Sequence, residues 1–319
     1  MANQIFSSKD FKRFIFSLLI FLFTLVASDL IIGKLLQVFY FRQKSGPDYE
    51  MTYAIDKSKE DFMVFGSSRA RHHYYPPAFE KELSLSGYNA GRNGNFILYS
   101  NAVLQSVLHR HPPKIVLLDI VKHEFEEFAP NYDHLSVLLP FYNFHPELRP
   151  TIMKRGPYER IKLISSIYPF NSSLISIAQG NFESNKNREE IIKGYSPLSR
   201  TMTVESKQEN NIAVYKIDTA LVNAYENFIV SCKEKQVKLF VVCSPYYDTM
   251  MNRDTSLIIA RELAVKHGIP FFDFTNDPEY TGKANAFYDK DHLNHEAAIK
   301  YSEKIAVEIR KELQQVAAN

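Results

Sequence analysis

The chain reads as an α/β protein: a mostly parallel five-stranded sheet, helices on both faces, and a membrane-spanning helix ahead of it. Three observations predict this. Short apolar runs alternate with segments of helical apolar spacing along most of the 319 residues. The runs are apolar almost throughout, as strands buried on both faces require. One stretch near the N-terminus is long enough to cross a bilayer.

That stretch, Phe14 to Gly33, reads FIFSLLIFLFTLVASDLIIG. Lys9, Lys12 and Arg13 precede it, which places the N-terminus (1–13) in the cytoplasm and the bulk of the chain outside. Lys34, Arg42 and Lys44 on the far side weaken that asymmetry. A cleaved signal peptide is the rival reading, since VAS offers small residues for cleavage. The apolar run continues past VAS to Leu36, which favours an uncleaved single-pass anchor over 14–36. Asp29 sits near one end, within reach of the interface or a partner.

Residues 37–60 read as a polar connector with GPDY as a turn. The domain proper is expected over 61–319. DFMVFG (61–66) is the first strand, and AFEKELSLSG a helix ended by Gly87. YNAG is a short second strand, NFILYSNAVLQSVLHRH a helix, and PPKIVLLDIV a third strand after a proline stop. TALVNAYENFIVSCKEKQ is a helix, VKLFVVCSP the fourth strand, SLIIARELAVKHG a helix with a glycine stop, and IPFFDF the fifth strand. A last helix runs from about Asn294 to Gln315. Between about 124 and 211 the rhythm breaks into a Tyr-, Phe-, Pro- and Asn-rich segment. It is too long and apolar for a plain loop, so it is expected to be a helical cap over the sheet edge, with NFESNKNREE mobile.

Composition narrows the function. A formal net charge of +2 and no long basic run give no footprint for nucleic acid. Cys232 and Cys243 lie in a helical pattern and an apolar run, and read as buried thiols. No ligand cluster calls for a metal or other cofactor.

Chemistry-bearing residues gather after strands, where parallel sheets place their sites. Gly66-Ser67-Ser68-Arg69 follows the first strand. The glycine allows a tight turn, and a serine at a helix head exposes its hydroxyl and an undonated N–H. Two serines there are also what an N-cap looks like. Asn89-Ala90-Gly91-Arg92-Asn93-Gly94-Asn95 follows the second strand and could aim amides at an anion, or simply make a turn needing positive φ. Asp289 and His292, three apart before the last helix, could be a general base and the carboxylate that fixes its tautomer.

Together these three blocks resemble the SGNH/GDSL hydrolase superfamily, over roughly Asp61 to the C-terminus minus the insert. The resemblance implies a three-layer α/β/α (flavodoxin-like) sandwich and a catalytic triad of Ser68, His292 and Asp289. It also implies an oxyanion hole including the Gly94 amide. The Gly-Ser-Ser-Arg variant and the anchor are similar to envelope acyl-transfer branches. This implies a serine esterase or O-acyltransferase acting on cell-envelope or exported polysaccharide, with a glycan or acyl donor as substrate. A membrane acyltransferase could be its partner. One block departs: after the third strand LLDIVKHEFEE lacks the family's oxyanion Asn, leaving Asn95 or Lys122 to supply a third donor. The alternative is a catalytically weak protein that binds glycan or assists polysaccharide assembly. Arg69 beside the nucleophile, Lys122, and Tyr246 after the fourth strand are expected substrate contacts.

Overall fold

The computed structural model describes residues 8–182, 191–203, 215–250 and 254–318. Five strands form one sheet: β1 (Phe62–Phe65), β2 (Gly87–Asn89), β3 (Ile115–Asp119), β4 (Lys238–Cys243) and β5 (Phe271–Asp273). Their order is β2-β1-β3-β4-β5 and every pairing is parallel. The order reverses between β1 and β3, which opens a crevice at their carboxyl ends.

Side-chain alternation along these short strands feeds two cores. Met63, Phe65, Val116, Leu118, Leu239 and Val241 face α5 (Ile97–Arg110), α10 (Thr219–Glu234) and α11 (Thr255–Lys266). Phe62, Val64, Leu117, Phe240 and Val242 face α3 (Ser68–His73), α4 (Pro76–Leu83) and α12 (His295–Ala318). The predicted three layers are therefore present.

Three segments differ from the sequence reading. Gly87 does not end α4. The helix stops at Leu83 with Ser84 in the left-handed conformation, and Gly87 opens β2. The polar connector is folded: α2 (Pro47–Thr52) runs into a π-helical turn, Tyr53–Lys57, and buries Met51, Ala54 and Ile55. Its acids meet arginines from the site loops, Glu50 with Arg71 and Asp48 with Arg92, both at 2.8 Å and nearly sealed from water.

The insert is built from short pieces, α6 (Pro130–Asp133), α7 (Arg149–Ile152), α8 (Glu159–Lys162) and α9 (Leu174–Asn181), joined by 3₁₀ turns. Its helical part packs on α5 and on α1 (Ser8–Phe41), not over the sheet edge: Leu148, Ile152, Phe170 and Ile177 share a core with Tyr40, Val103 and Val107. The non-helical stretch 191–203 is the part that reaches the strand ends, through Ser196 to Arg71 and Leu198 to His295. From residue 183 the stretch expected to be mobile lies outside the described residues, as does the insert's end from 204.

Helix α1 contains an 18-residue window with a mean hydropathy of 2.5, and by length and composition it can cross a membrane. Both cysteines are buried thiols.

Candidate active site

The turn after β1 sets the nucleophile candidate. Gly66 has φ +139°, and a Cβ there would meet the Asp119 carbonyl oxygen and the Ala70 Cβ at 2.8 Å. Only glycine lets the chain turn this tightly across the end of β3. Ser67 precedes α3 in extended conformation and makes no side-chain capping bond. Ser68 is the first helical residue, so its N–H has no intrahelical acceptor. The N-cap reading thus accounts for neither hydroxyl.

Opposite, residues 287–293 form a small hairpin closed by a Phe287–Leu293 bridge. Asp289 Oδ1 accepts the N–H groups of Asp291 and His292, both at 2.9 Å, which curls the turn and holds the carboxylate under the ring. His292 Nδ1–H donates to Asp289 at 2.9 Å, and Nε2 lies 2.8 Å from Ser68 Oγ. Partial burial works against ionising Asp289, but the His292 bond and charge and the two amides outweigh it and hold the carboxyl below its usual range. The tautomer follows from these contacts: Nε2 carries the lone pair that faces the serine.

Two further histidines wall the site. His72 and His73 lie 5.5 and 6.1 Å from the His292 ring, nearly perpendicular to it. His73 Nε2 accepts the Leu293 N–H and its Nδ1–H points to Ser244 Oγ, which fixes it as neutral. Burial above all, then Arg69 and His292, push its pKa well down. His72 donates to Ser196 O at 2.7 Å, and burial brings it down to about 4.

The second loop is latched to the first. Arg92 N–H donates to Gly66 O, and Asn89 Nδ2 donates to both Ala70 O and Tyr74 O while its Oδ1 accepts the Gly91 N–H. Asn89, at the head of the Asn-x-Gly block, is thus the residue that ties the two loops together. Gly94, at φ +69°, is exposed and its N–H has no acceptor among the described residues, while its carbonyl accepts from His134. Asn95 does not fit the expected donor role. It is buried, its Nδ2 donates to Asn93 O and its amide to Arg92 O, so it serves the turn.

The predicted substrate contacts need the same correction. Arg69 is 3% exposed. Its guanidinium bonds Asp291 O, Ser244 O, Ser244 Oγ and Pro245 O, and stacks 3.7 Å from the Tyr246 ring. It fastens the loop after β4 and the His292 hairpin to α3 and has no face left for substrate. Tyr246 is also buried, and its hydroxyl accepts the Lys122 N–H at 2.9 Å. Of the three, Lys122 alone keeps an exposed head, 3.2 Å from Asp291 Oδ1.

After β3, each amide from Ile120 to Phe125 already has an acceptor: Val242 O, Glu124 Oε2, Tyr246 Oη, Asp254 Oδ1, Val121 O and Ser256 Oγ in turn. This backbone offers no third donor. Glu124, pushed up to about 8 by burial, instead caps α5 through the Ile97 N–H. A cavity of about 730 Å³ beside Arg71, lined by Tyr49, Tyr53, Tyr88 and Lys193 among others, includes none of the triad residues.

No family model matches the chain, and no curated protein matches it. Among solved structures it is similar to the psychrotrophic esterase EstA from Pseudoalteromonas sp., at 10% identity and a TM-score of 0.41, over 80% of this chain and 99% of that one. It is similar to the acetyl xylan esterase AlAXEase at 14% and 0.36, over 79% and 98%. A putative acylhydrolase from Bacteroides fragilis gives 11% and 0.37, over 82% and 89%. These likenesses are distant, and the roles of residues here rest on the chain's own geometry.

Proposed function

We propose that the protein is a serine esterase or O-acyltransferase of the SGNH type, and that its substrates are acyl groups on envelope or exported polysaccharide. The observation that carries this is the unbroken relay Ser68 Oγ, His292 Nε2, His292 Nδ1, Asp289, with both links between 2.8 and 3.0 Å. Three groups from two ends of the chain meet in the geometry that activates a serine.

In this mechanism His292 Nε2 takes the Ser68 proton as Oγ attacks the ester carbonyl. Asp289 stabilises the imidazolium. The tetrahedral oxyanion faces the Ser68 and Gly94 amides, both without an acceptor among the described residues. Collapse breaks the ester C–O bond, and His292 returns the proton to the leaving alcohol. Water or a sugar hydroxyl then attacks the acyl-serine with His292 again as base, the acyl–Oγ bond breaks, and His292 returns the proton to Ser68 Oγ. Water gives hydrolysis; a hydroxyl gives transfer.

A second reading is supported by the loop after β3, whose amides are all committed. With only two donors, turnover would be lower by about 10²–10³, the usual cost of one oxyanion donor, and the site could serve mainly to hold glycan. The distinguishing measurement is labelling by an active-site fluorophosphonate with aryl-acetate turnover. Catalysis requires that Ser68→Ala abolish both; equal labelling of wild type and variant would exclude the nucleophile assignment. Glycan binding that persists in His292→Ala without any wild-type turnover would favour the holding role.

For location, we read α1 as an uncleaved single-pass anchor in the cytoplasmic membrane with the α/β domain outside. Cleavage after VAS would leave Leu30, Ile31, Ile32 and Leu35, all about half exposed or more, facing water. The intact mass of membrane-extracted protein tests this.

A further inference from the structure

Helix α1 does not simply lead out of a membrane into a tether. Ser165 Oγ and the Ser166 N–H bind the Asp29 carboxylate at 2.5 and 2.6 Å. Gly33 lies against Ser166 so closely that a Cβ would meet its backbone at about 2.5 Å. The domain therefore clasps the helix at Asp29 and Gly33, within the apolar run.

Length converts this contact into a depth. Counting from Phe14, just after Arg13, a hydrocarbon core of about 30 Å is crossed by about 20 residues at 1.5 Å each, which ends at Gly33. Asp29, four residues earlier, sits about 6 Å inside that boundary. Whatever touches Asp29 sits there too. The chain immediately before Ser165 has the composition that depth demands: Tyr158, Ile161 and Ile164 are 66%, 65% and 79% exposed. The other side of α8 is internally neutralised, with Glu159 buried beneath Arg155, Lys162 and the Tyr168 hydroxyl. Lys154 and Arg160 remain exposed at the margin, where lipid headgroups favour cations and tyrosine.

We propose that Tyr158–Ile164 is a wedge that enters the outer leaflet of the bilayer beside α1, with Ile161 and Ile164 among the acyl chains. Ser165 and Ser166 then neutralise Asp29's hydrogen-bonding demand inside lipid, where an unpaired carboxylate would be costly. The proposal rests on reading α1 as an anchor, and the partner it names is the lipid boundary itself.

The chain has no tryptophan, so one introduced residue reports its own surroundings. The full-length protein, reconstituted in phosphatidylcholine vesicles, would carry Ile161→Trp, Ile164→Trp, Leu22→Trp in the span, or Val265→Trp on α11, which is 70% exposed. Expected for Ile161→Trp and Ile164→Trp is blue-shifted emission, with several-fold stronger quenching by lipids brominated near the top of the acyl chain than Val265→Trp shows. Leu22→Trp should be quenched best by bromines deep in the chain. If Leu22→Trp is quenched while Ile161→Trp and Ile164→Trp behave like Val265→Trp, the wedge is wrong and the anchor stands. If Leu22→Trp is unquenched as well, both fall. Circular dichroism confirms that each variant is folded.

Discussion

At the scale of single residues, the proposed mechanism makes Ser68 depend on His292, and His292 takes its orientation from Asp289. Asp289→Asn would keep the turn but reverse the bond to Nδ1, placing the proton on Nε2 where the lone pair is needed. Aryl-ester turnover should drop about 10⁴-fold, as for the same change in other triads, with little loss of stability because Asp289 is about half exposed. His72 makes a different prediction. Burial lowers its pKa from 6.5 to about 4, so between those values the unfolded chain binds a proton that the fold refuses. Stability is then full above pH 6.5 and falls as pH drops toward about 4. The loss is on the order of 3 kcal/mol, and His73, shifted the same way, adds to it. Urea melts across this range should show the fall, and His72→Gln should flatten it. The meeting of Ser68, His292 and Asp289 was legible in sequence because each sits in a short local pattern after a strand or before a helix. Arg69 misled for the opposite reason. Its partners Ser244, Pro245 and Asp291 lie some 175 to 222 residues away, and nothing local reveals that a charge beside a serine is spent on carbonyls.

Among elements, α3 has to stand at one fixed distance from the His292 hairpin, and glycine makes that possible. Gly91 lies against α3 so closely that a Cβ would reach the Arg71 backbone nitrogen at 2.6 Å and Ala70 Cβ at 2.8 Å. Gly91→Ala must push α3, and with it Ser68, by a large fraction of an ångström. A displacement approaching 1 Å costs about 10² in rate, so kcat should fall by about that factor while KM changes far less. A variant that turns over normally would show that the loop yields instead of the helix. The five strands were readable because their apolar runs have no other use in a soluble layer. The extent of α4 was not, since Ser84 in the left-handed conformation does a stop that glycine usually marks. Residues 37–60 read as a linker because Asp48 and Glu50 look solvated until Arg92 and Arg71 arrive from 44 and 21 residues on. Removing one member of such a buried pair typically costs about 3–5 kcal/mol, and Glu50→Ala should show a loss of that size in thermal or urea unfolding.

For the whole molecule, these pairs make one continuous mount from α1 to the loops of the proposed site. Asp29 binds the insert, Tyr40 packs into it, Asp48 holds Arg92, and Arg92 N–H holds Gly66 O beside Ser68. The insert's packing on α1 was invisible in sequence because its contacts join residues about 100 to 140 positions apart. If the mount is real, the end of α1 is part of the folding unit and not a leash. Tyr40 tests this well, being 1% exposed between Phe41, Phe141 and Phe170. Its hydroxyl is buried with no hydrogen-bond partner among the described residues. Tyr40→Phe removes only that oxygen and should stabilise the protein by about 1 kcal/mol, since an unsatisfied buried hydroxyl is a net cost. Tyr40→Ala empties the space between three rings and should destabilise it by about 3–5 kcal/mol. Both shifts are read from denaturation of the full chain in detergent micelles, followed by circular dichroism of the α/β domain. A leash would leave that transition unmoved in both variants, because a helix outside the cooperative unit cannot change the stability of the domain it tethers.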